Sequence, residues 1–197
     1  MNILIIQGGS NQKLPSGEET VILSDQQSLA KKHNVNIEYI ENQKGVLKTI
    51  FGLVWSFDNY NKIVALIDRH KPDVIHFHTL VPYLSLSVLY AAKKKGVKVV
   101  QTLHNGRWIC IEGGFFRNGK YCDKCVGTHG VYGVIRGCKH NRAVSFLFFL
   151  VNFFARKSKR LFSLVDKFIA VSEFIKDTHI ESGFPVNKIE VINNSID

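Results

Sequence analysis

The stretch Val97-Lys98-Val99-Val100-Gln101-Thr102-Leu103, closed by His104-Asn105-Gly106, decides the fold. Its β-branched and aliphatic residues read as a buried strand, and Asn-Gly directly after it is a turn signal. Gly96 before it caps a helical pattern over 82–95. A helix running into an apolar strand that stops at a polar turn is the repeating unit of a parallel sheet. In open α/β sheets ligands bind outside the carboxyl ends of strands, so His104 and Asn105 stand where chemistry is expected.

The same alternation extends in both directions. Strands are predicted at 2–6, 35–40, 73–78, 167–171 and 188–192. Helices are predicted at 18–33, with Ser16 as N-cap and Glu19 as capping-box partner, and at 48–57 and 61–70, the last stopped by Lys71-Pro72. Further helices are predicted as one long segment at 142–165 and a shorter one at 173–182 ended by Gly183. Runs this apolar imply a parallel sheet with helices on both faces, an α/β Rossmann-like fold. The chain has 197 residues, the size of one well-packed domain.

The net charge is +10, which favours anionic partners: nucleic acid, a phosphorylated small molecule or an anionic membrane surface. The basic residues fall in no recognition motif with interleaved aromatics, so nucleic acid is disfavoured. Met1-Asn2-Ile3-Leu4-Ile5-Ile6 lacks the cationic start of a signal peptide. The greasiest run, 143–155, falls short of the roughly 20 residues a spanning helix needs. A cytoplasmic location is therefore expected, where stable disulfides are uncommon.

Four groups of residues carry candidate chemistry. Gly8-Gly9-Ser10 through Pro15-Ser16-Gly17-Glu18 follows the first strand and enters a helix, a place where backbone N–H groups can meet phosphate; the alternative is an ordinary βα turn. The G-x-G-x-x-G fingerprint is absent, which argues against NAD. His76 and His78 alternate on a strand and share a face, with Phe77 opposite. They either line a crevice or are hydrogen-bonded structural histidines. His104, at the strand end, is the candidate for accepting a proton or positioning a hydroxyl; the alternative is a turn-forming His104-Asn105-Gly106.

The fourth group is the loop at about 106–140, which holds all four cysteines: Cys110, Cys122, Cys125 and Cys138. One C-x-x-C with two flanking cysteines fits a structural four-thiolate zinc site; free packed thiols and a disulfide are the alternatives. After it, Ala143 to Ala155 is rich in phenylalanine and is followed by Arg156-Lys157-Ser158-Lys159-Arg160. This segment is either a buried helix with a solvated basic end or an element that enters the headgroup region of an anionic membrane.

The order of these pieces resembles one family. The Gly-rich loop is followed by Pro72-Asp73-Val74-Ile75-His76-Phe77-His78, then Thr102-Leu103-His104-Asn105, then Val165-Asp166-Lys167-Phe168-Ile169-Ala170-Val171-Ser172-Glu173-Phe174, and finally Ile189-Glu190-Val191-Ile192-Asn193-Asn194-Ser195-Ile196-Asp197. The whole chain is similar to the N-terminal domain of family-4 glycosyltransferases, retaining enzymes of the GT-B fold, and the cysteine loop matches a subgroup of them.

The resemblance implies one half of a two-domain architecture, with residues 1–197 binding acceptor and a C-terminal donor-binding domain outside this chain. It implies transfer of a sugar from a nucleotide-sugar donor to a glycan or lipid-diphosphate-linked acceptor, as in bacterial surface polysaccharide assembly at the inner membrane face. Gly17 would lie near the donor diphosphate, Glu18 beside it would help bind donor or acceptor, and His104 would sit by the transferred sugar. His78 and Asn105 would help bind donor or acceptor, and Ser172 and Glu173 would border the cleft. Two positions depart from the family pattern: Ser16 stands where the loop usually has its first glycine, and Asn193-Asn194-Ser195 replaces proline-asparagine-glycine. The isolated chain is expected to be weakly active or inactive. The alternative is a non-catalytic module that docks to a membrane or to a donor-domain subunit.

Overall fold

The computed structural model describes residues 1–9, 17–40, 55–81 and 83–194. Six parallel strands form one sheet in the order β2-β1-β3-β4-β7-β8. They are β1 (Asn2–Gly8), β2 (Asn34–Ile40), β3 (Val74–Phe77), β4 (Lys98–Leu103), β7 (Lys167–Ala170) and β8 (Ile189–Val191). The helices are α1 (Gly17–Ala30), α2 (Phe57–His70), α3 (Ser87–Lys94), α4 (Val131–Ile135), α5 (Arg142–Lys157), α6 (Arg160–Leu164) and α7 (Glu173–Glu181). The expected doubly covered parallel sheet is therefore present.

The two faces are visible in β1 itself. Ile3 and Ile5 pack with Ile22 of α1, whereas Leu4 and Ile6 join the main core with Ile63 and Ile67 of α2. Both sets are buried because a central parallel strand has no solvent face. The chain leaves β1 towards β2 on one side and reaches β3 on the other. That reversal opens a crevice at the carboxyl ends of β1 and β3. Gly8 sits there for a steric reason: a Cβ would meet the Thr79 carbonyl oxygen and lie 2.9 Å from Tyr83 Cβ.

Several boundaries differ from the sequence reading. α2 starts at Phe57, capped by Ser56, whose hydroxyl oxygen accepts from Asn59 N at 3.2 Å. It ends as expected at Lys71, which takes a left-handed φ of 44° before Pro72. The Ser16 cap, Pro82 and most of the helix expected over 48–57 lie outside the described residues; Trp55 and Ser56 are not helical. α3 begins at Ser87, five residues after Pro82.

The single helix expected over 142–165 is two. Lys159 turns left-handed at φ 53° between α5 and α6. The bend swings Leu161 and Leu164 into the core beside Phe168, which a straight helix would have carried past it.

The cysteine loop is folded, not loose. A short hairpin, β5 (Phe116–Arg117) and β6 (Lys120–Tyr121), turns at Asn118-Gly119, both with positive φ as a type I′ turn requires. Trp108, Ile109, Ile111 and Phe115 are buried, and all but Ile111 belong to the main core. Gly106 is needed because a Cβ there would meet the Phe115 ring.

Candidate functional site

His76 of β3 pairs in register with Val100 of β4, which puts Thr102 two residues on along the same face. His76 Nε2 lies 2.7 Å from Thr102 Oγ1. His78 stacks beside His76 at 4.3 Å between ring centroids, and its Nδ1 is 2.9 Å from His104 Nε2. The histidines of two neighbouring strand ends thus form one continuous row. His76 and His78 are buried, whereas His104 is part-exposed. His78, Thr79, His104, Asn105, Arg107 and Trp108 line a shallow crevice.

Burial disfavours charge on all three rings. It pushes His76 down to about 4, with the neighbouring His104 adding to the effect. It pushes His78 well below the ordinary histidine range, reinforced by His76 and His104. His104 is also lowered, first by burial; the Glu18 carboxylate opposes this and the Arg107 guanidinium adds to it. All three are therefore neutral imidazoles at pH 7, able to donate at one nitrogen and accept at the other.

Glu18 enters from α1. Its Oε2 accepts from Thr79 Oγ1 at 2.6 Å and its Oε1 from Asn105 Nδ2 at 3.1 Å. Asn105 Oδ1 in turn accepts from Arg107 N at 3.2 Å. The carboxylate at the helix N-terminus ties together the ends of β3 and β4, a placement that the helix dipole also favours. Gly17 is exposed, with open space where a Cβ would stand.

Ser172 and Glu173 follow β7, the next strand across from β4. The Ser172 hydroxyl oxygen caps α7 by accepting from Ile175 N at 3.3 Å. Glu173 is exposed and pairs with Lys176 at 3.1 Å. No hydrogen bond or ion pair among the described residues joins either to His104.

Asp25 is the residue that sequence reading missed. It stands on α1 two helical turns beyond Glu18, and its Oδ2 is 3.8 Å from His78 Nε2. Burial raises its pKa above the ordinary aspartate value. The available signal was the heptad spacing of Glu18 and Asp25, which places both carboxylates on one helix face. Asp25, His76 and His78 are also the one group among the described residues whose ligand atoms lie within 4.8 Å of one another.

The cysteines do not form such a group. Cys110 and Cys125 are buried and perturb each other's ionisation, and Cys122 and Cys138 complete no cluster with them among the described residues. The Cys125 thiol donates to Cys110 and pulls it down to about 6; burial opposes this, and the N–H groups of Gly113, Phe115 and Glu112 assist. Cys125 is pushed up correspondingly, first by its bond to Cys110 and then by burial. None of the four cysteines is in a disulfide. A four-thiolate zinc site, which the spacing fits, is a matter for metal analysis of the purified chain.

The model of glycosyltransferase family 4 matches residues 16–197. The chain belongs to glycosyltransferase family 4. No curated protein sequence matched it. Solved structures share the fold of this family-4 domain at low identity. UDP-GlcNAc 2-epimerase from Neisseria meningitidis, bound to UDP-GlcNAc, is 13% identical with a TM-score of 0.53, covering 100% of this chain and 47% of that one. Anabaena HepE in complex with UDP is 16% identical with a TM-score of 0.54, covering 100% and 45%. The MnaA–UDP structure from S. aureus is 11% identical with a TM-score of 0.53, covering 98% and 44%. The family-4 chain thus spans under half the length of these structures.

Proposed function

We propose that this domain is the acceptor-binding half of a retaining glycosyltransferase. It would hold a glycan or lipid-diphosphate-linked acceptor while a donor-binding domain or subunit presents a nucleotide sugar, in bacterial surface polysaccharide assembly. The observation that carries this reading is His104. It is a neutral, part-exposed imidazole held by His78 at the mouth of the crevice, in a chain of glycosyltransferase family 4. The structural neighbours described above were solved with UDP-GlcNAc and UDP bound, which supports a nucleotide-sugar co-substrate.

The residues divide the work as follows. Glu18 fixes Thr79 and Asn105, and so the wall of the crevice. His104 receives a hydroxyl of the sugar or acceptor. Gly17, with no side chain, leaves the N-terminus of α1 open to a diphosphate. Ser172 and Glu173 border the side towards the donor domain. Stabilisation of the departing diphosphate, usually the largest catalytic contribution, is supplied mostly by the other domain.

A peripheral position on an anionic membrane face is part of this proposal, and α5 supports it. Its buried side is Ser145, Asn152, Ala155 and Arg156, whereas Phe146 and Phe154 are 49% and 61% exposed. Phe146, Phe149 and Phe153 stack in a row. Leu86, Leu147, Leu150, Val151 and Phe154, with Arg160, line an apolar hollow. No helix among the described residues is long and apolar enough to cross a membrane.

The test is a transfer assay with this chain joined to its donor-binding domain, a panel of nucleotide sugars and lipid-diphosphate-linked glycans. Turnover that falls about 100-fold in His104→Ala is expected, the usual scale for losing a positioned proton-transfer group. Unchanged turnover would remove His104 from the mechanism. Vesicle binding without transfer for any donor would identify a docking module instead.

A further inference from the structure

Between His78 Nδ1 and His104 Nε2, 2.9 Å apart, there is room for one proton. Both rings are neutral, so it belongs to one of two arrangements. In the first, His78 carries its proton on Nε2 and accepts at Nδ1 from His104 Nε2–H. In the second, His78 donates from Nδ1 and leaves a lone pair on Nε2. The two differ in what they present to a ligand: His104 Nδ1 is an acceptor in the first and a donor in the second.

What faces His78 Nε2 decides between them. That atom is buried and has no hydrogen-bond partner, and the nearest charged group is the Asp25 carboxylate at 3.8 Å. A shift of about 1 Å in the half-buried Asp25 side chain closes that gap. A lone pair aimed at a carboxylate is repelled, whereas an N–H aimed at it is stabilised. The other neighbours do not compete. His76 Nε2 is engaged by Thr102 Oγ1, and both Glu18 oxygens are taken by Thr79 and Asn105.

We propose that Asp25 acts through His78 to fix the tautomer of His104, so that His104 offers an unprotonated Nδ1 and selects a hydroxyl, a hydrogen-bond donor, as the group it receives. Asp25 is a positioning residue, remote in sequence from the strand ends it governs. That the hydroxyl belongs to a sugar rests on the function proposed above; the tautomer does not.

The test is nitrogen-15 NMR of the histidine rings at neutral pH, where protonated and unprotonated ring nitrogens resonate far apart. Nε2 of both His78 and His104 should be protonated and both Nδ1 atoms unprotonated. Asp25→Asn, which can present an amide N–H to His78, should reverse or mix the pattern, and Asp25→Glu should restore it. A protonated His104 Nδ1 in the unaltered chain overturns the proposal, as does a pattern unaffected by a folded Asp25→Asn variant. A pattern that a chelator changes also overturns it, because Asp25, His76 and His78 would then be holding an ion. If Asp25→Asn does not fold, the unaltered chain alone decides. Failure of the transfer assay leaves this measurement intact, so the two proposals fail separately.

Discussion

Glu18 Oε1 accepts from Asn105 Nδ2 at 3.1 Å, joining residues 87 positions apart. With its other oxygen on Thr79, this carboxylate fastens the start of α1 to the ends of β3 and β4. Glu18→Ala would leave the Thr79 hydroxyl and the Asn105 amide without their partner. The expected loss is about 1–3 kcal/mol of stability, measured by urea unfolding, because both bonds are charge-assisted. Glu18→Gln should retain part of it. A change within experimental error in both variants would show that water replaces the carboxylate.

Acid should destabilise the domain through its buried histidines. His76 and His179 titrate at about 4 in the folded chain because burial penalises their charged forms, against 6.5 for the ordinary group. Between these values the unfolded chain binds more protons than the folded one, so stability is complete above pH 6.5 and is lost as pH falls towards 4. Each histidine contributes at most about 3 kcal/mol to that loss. Unfolding midpoints that stay level from pH 7 to 4 would contradict the buried neutral rings.

In the cysteine loop the pair should matter more than the C-x-x-C spacing. Cys110→Ala and Cys125→Ala are each expected to cost about 2 kcal/mol, since each removes one partner of a buried cysteine pair. Cys122→Ser and Cys138→Ser, at half-buried positions, should change stability by less than about 1 kcal/mol. Metal analysis provides the contrast. Stoichiometric zinc that disappears in all four variants would establish the four-thiolate centre implied by the spacing.

The outward phenylalanines of α5 should be dispensable for folding. Phe146→Ser and Phe154→Ser together are expected to leave unfolding unchanged within about 1 kcal/mol and to reduce flotation with anionic vesicles. Asn152→Ala should do the reverse. Its amide donates to the Arg107 carbonyl at 2.7 Å, and its loss should destabilise by about 1–2 kcal/mol without altering vesicle binding. Vesicle binding that survives loss of both phenylalanines would exclude α5 as the contact.

Much of this was legible from residue order. The parallel sheet followed from apolar runs between helical patterns, and the shared face of His76 and His78 from strand alternation. Helix ends were legible where local chemistry sets them, as at Lys71-Pro72 and Gly183. The break at Lys159 was not, because a left-handed lysine carries no local mark; the need to bury Leu161 and Leu164 imposes it. The buried side of α5 was equally hidden. A helix apolar nearly all round does not say which side turns inward, and the Asn152 bond to Arg107 and the fit of Ala155 choose it.

By itself, then, the sequence determined the layered α/β architecture and the position of His104-Asn105 at the end of β4. Both depend on hydrophobic period and turn chemistry, which act between near neighbours. Only the tertiary structure decided which side chains work together. It brought Asp25 to His78, bound Glu18 to Asn105 and joined two cysteines out of four. Those contacts depend on strand register and helix placement, which are set by long-range packing across the whole sheet.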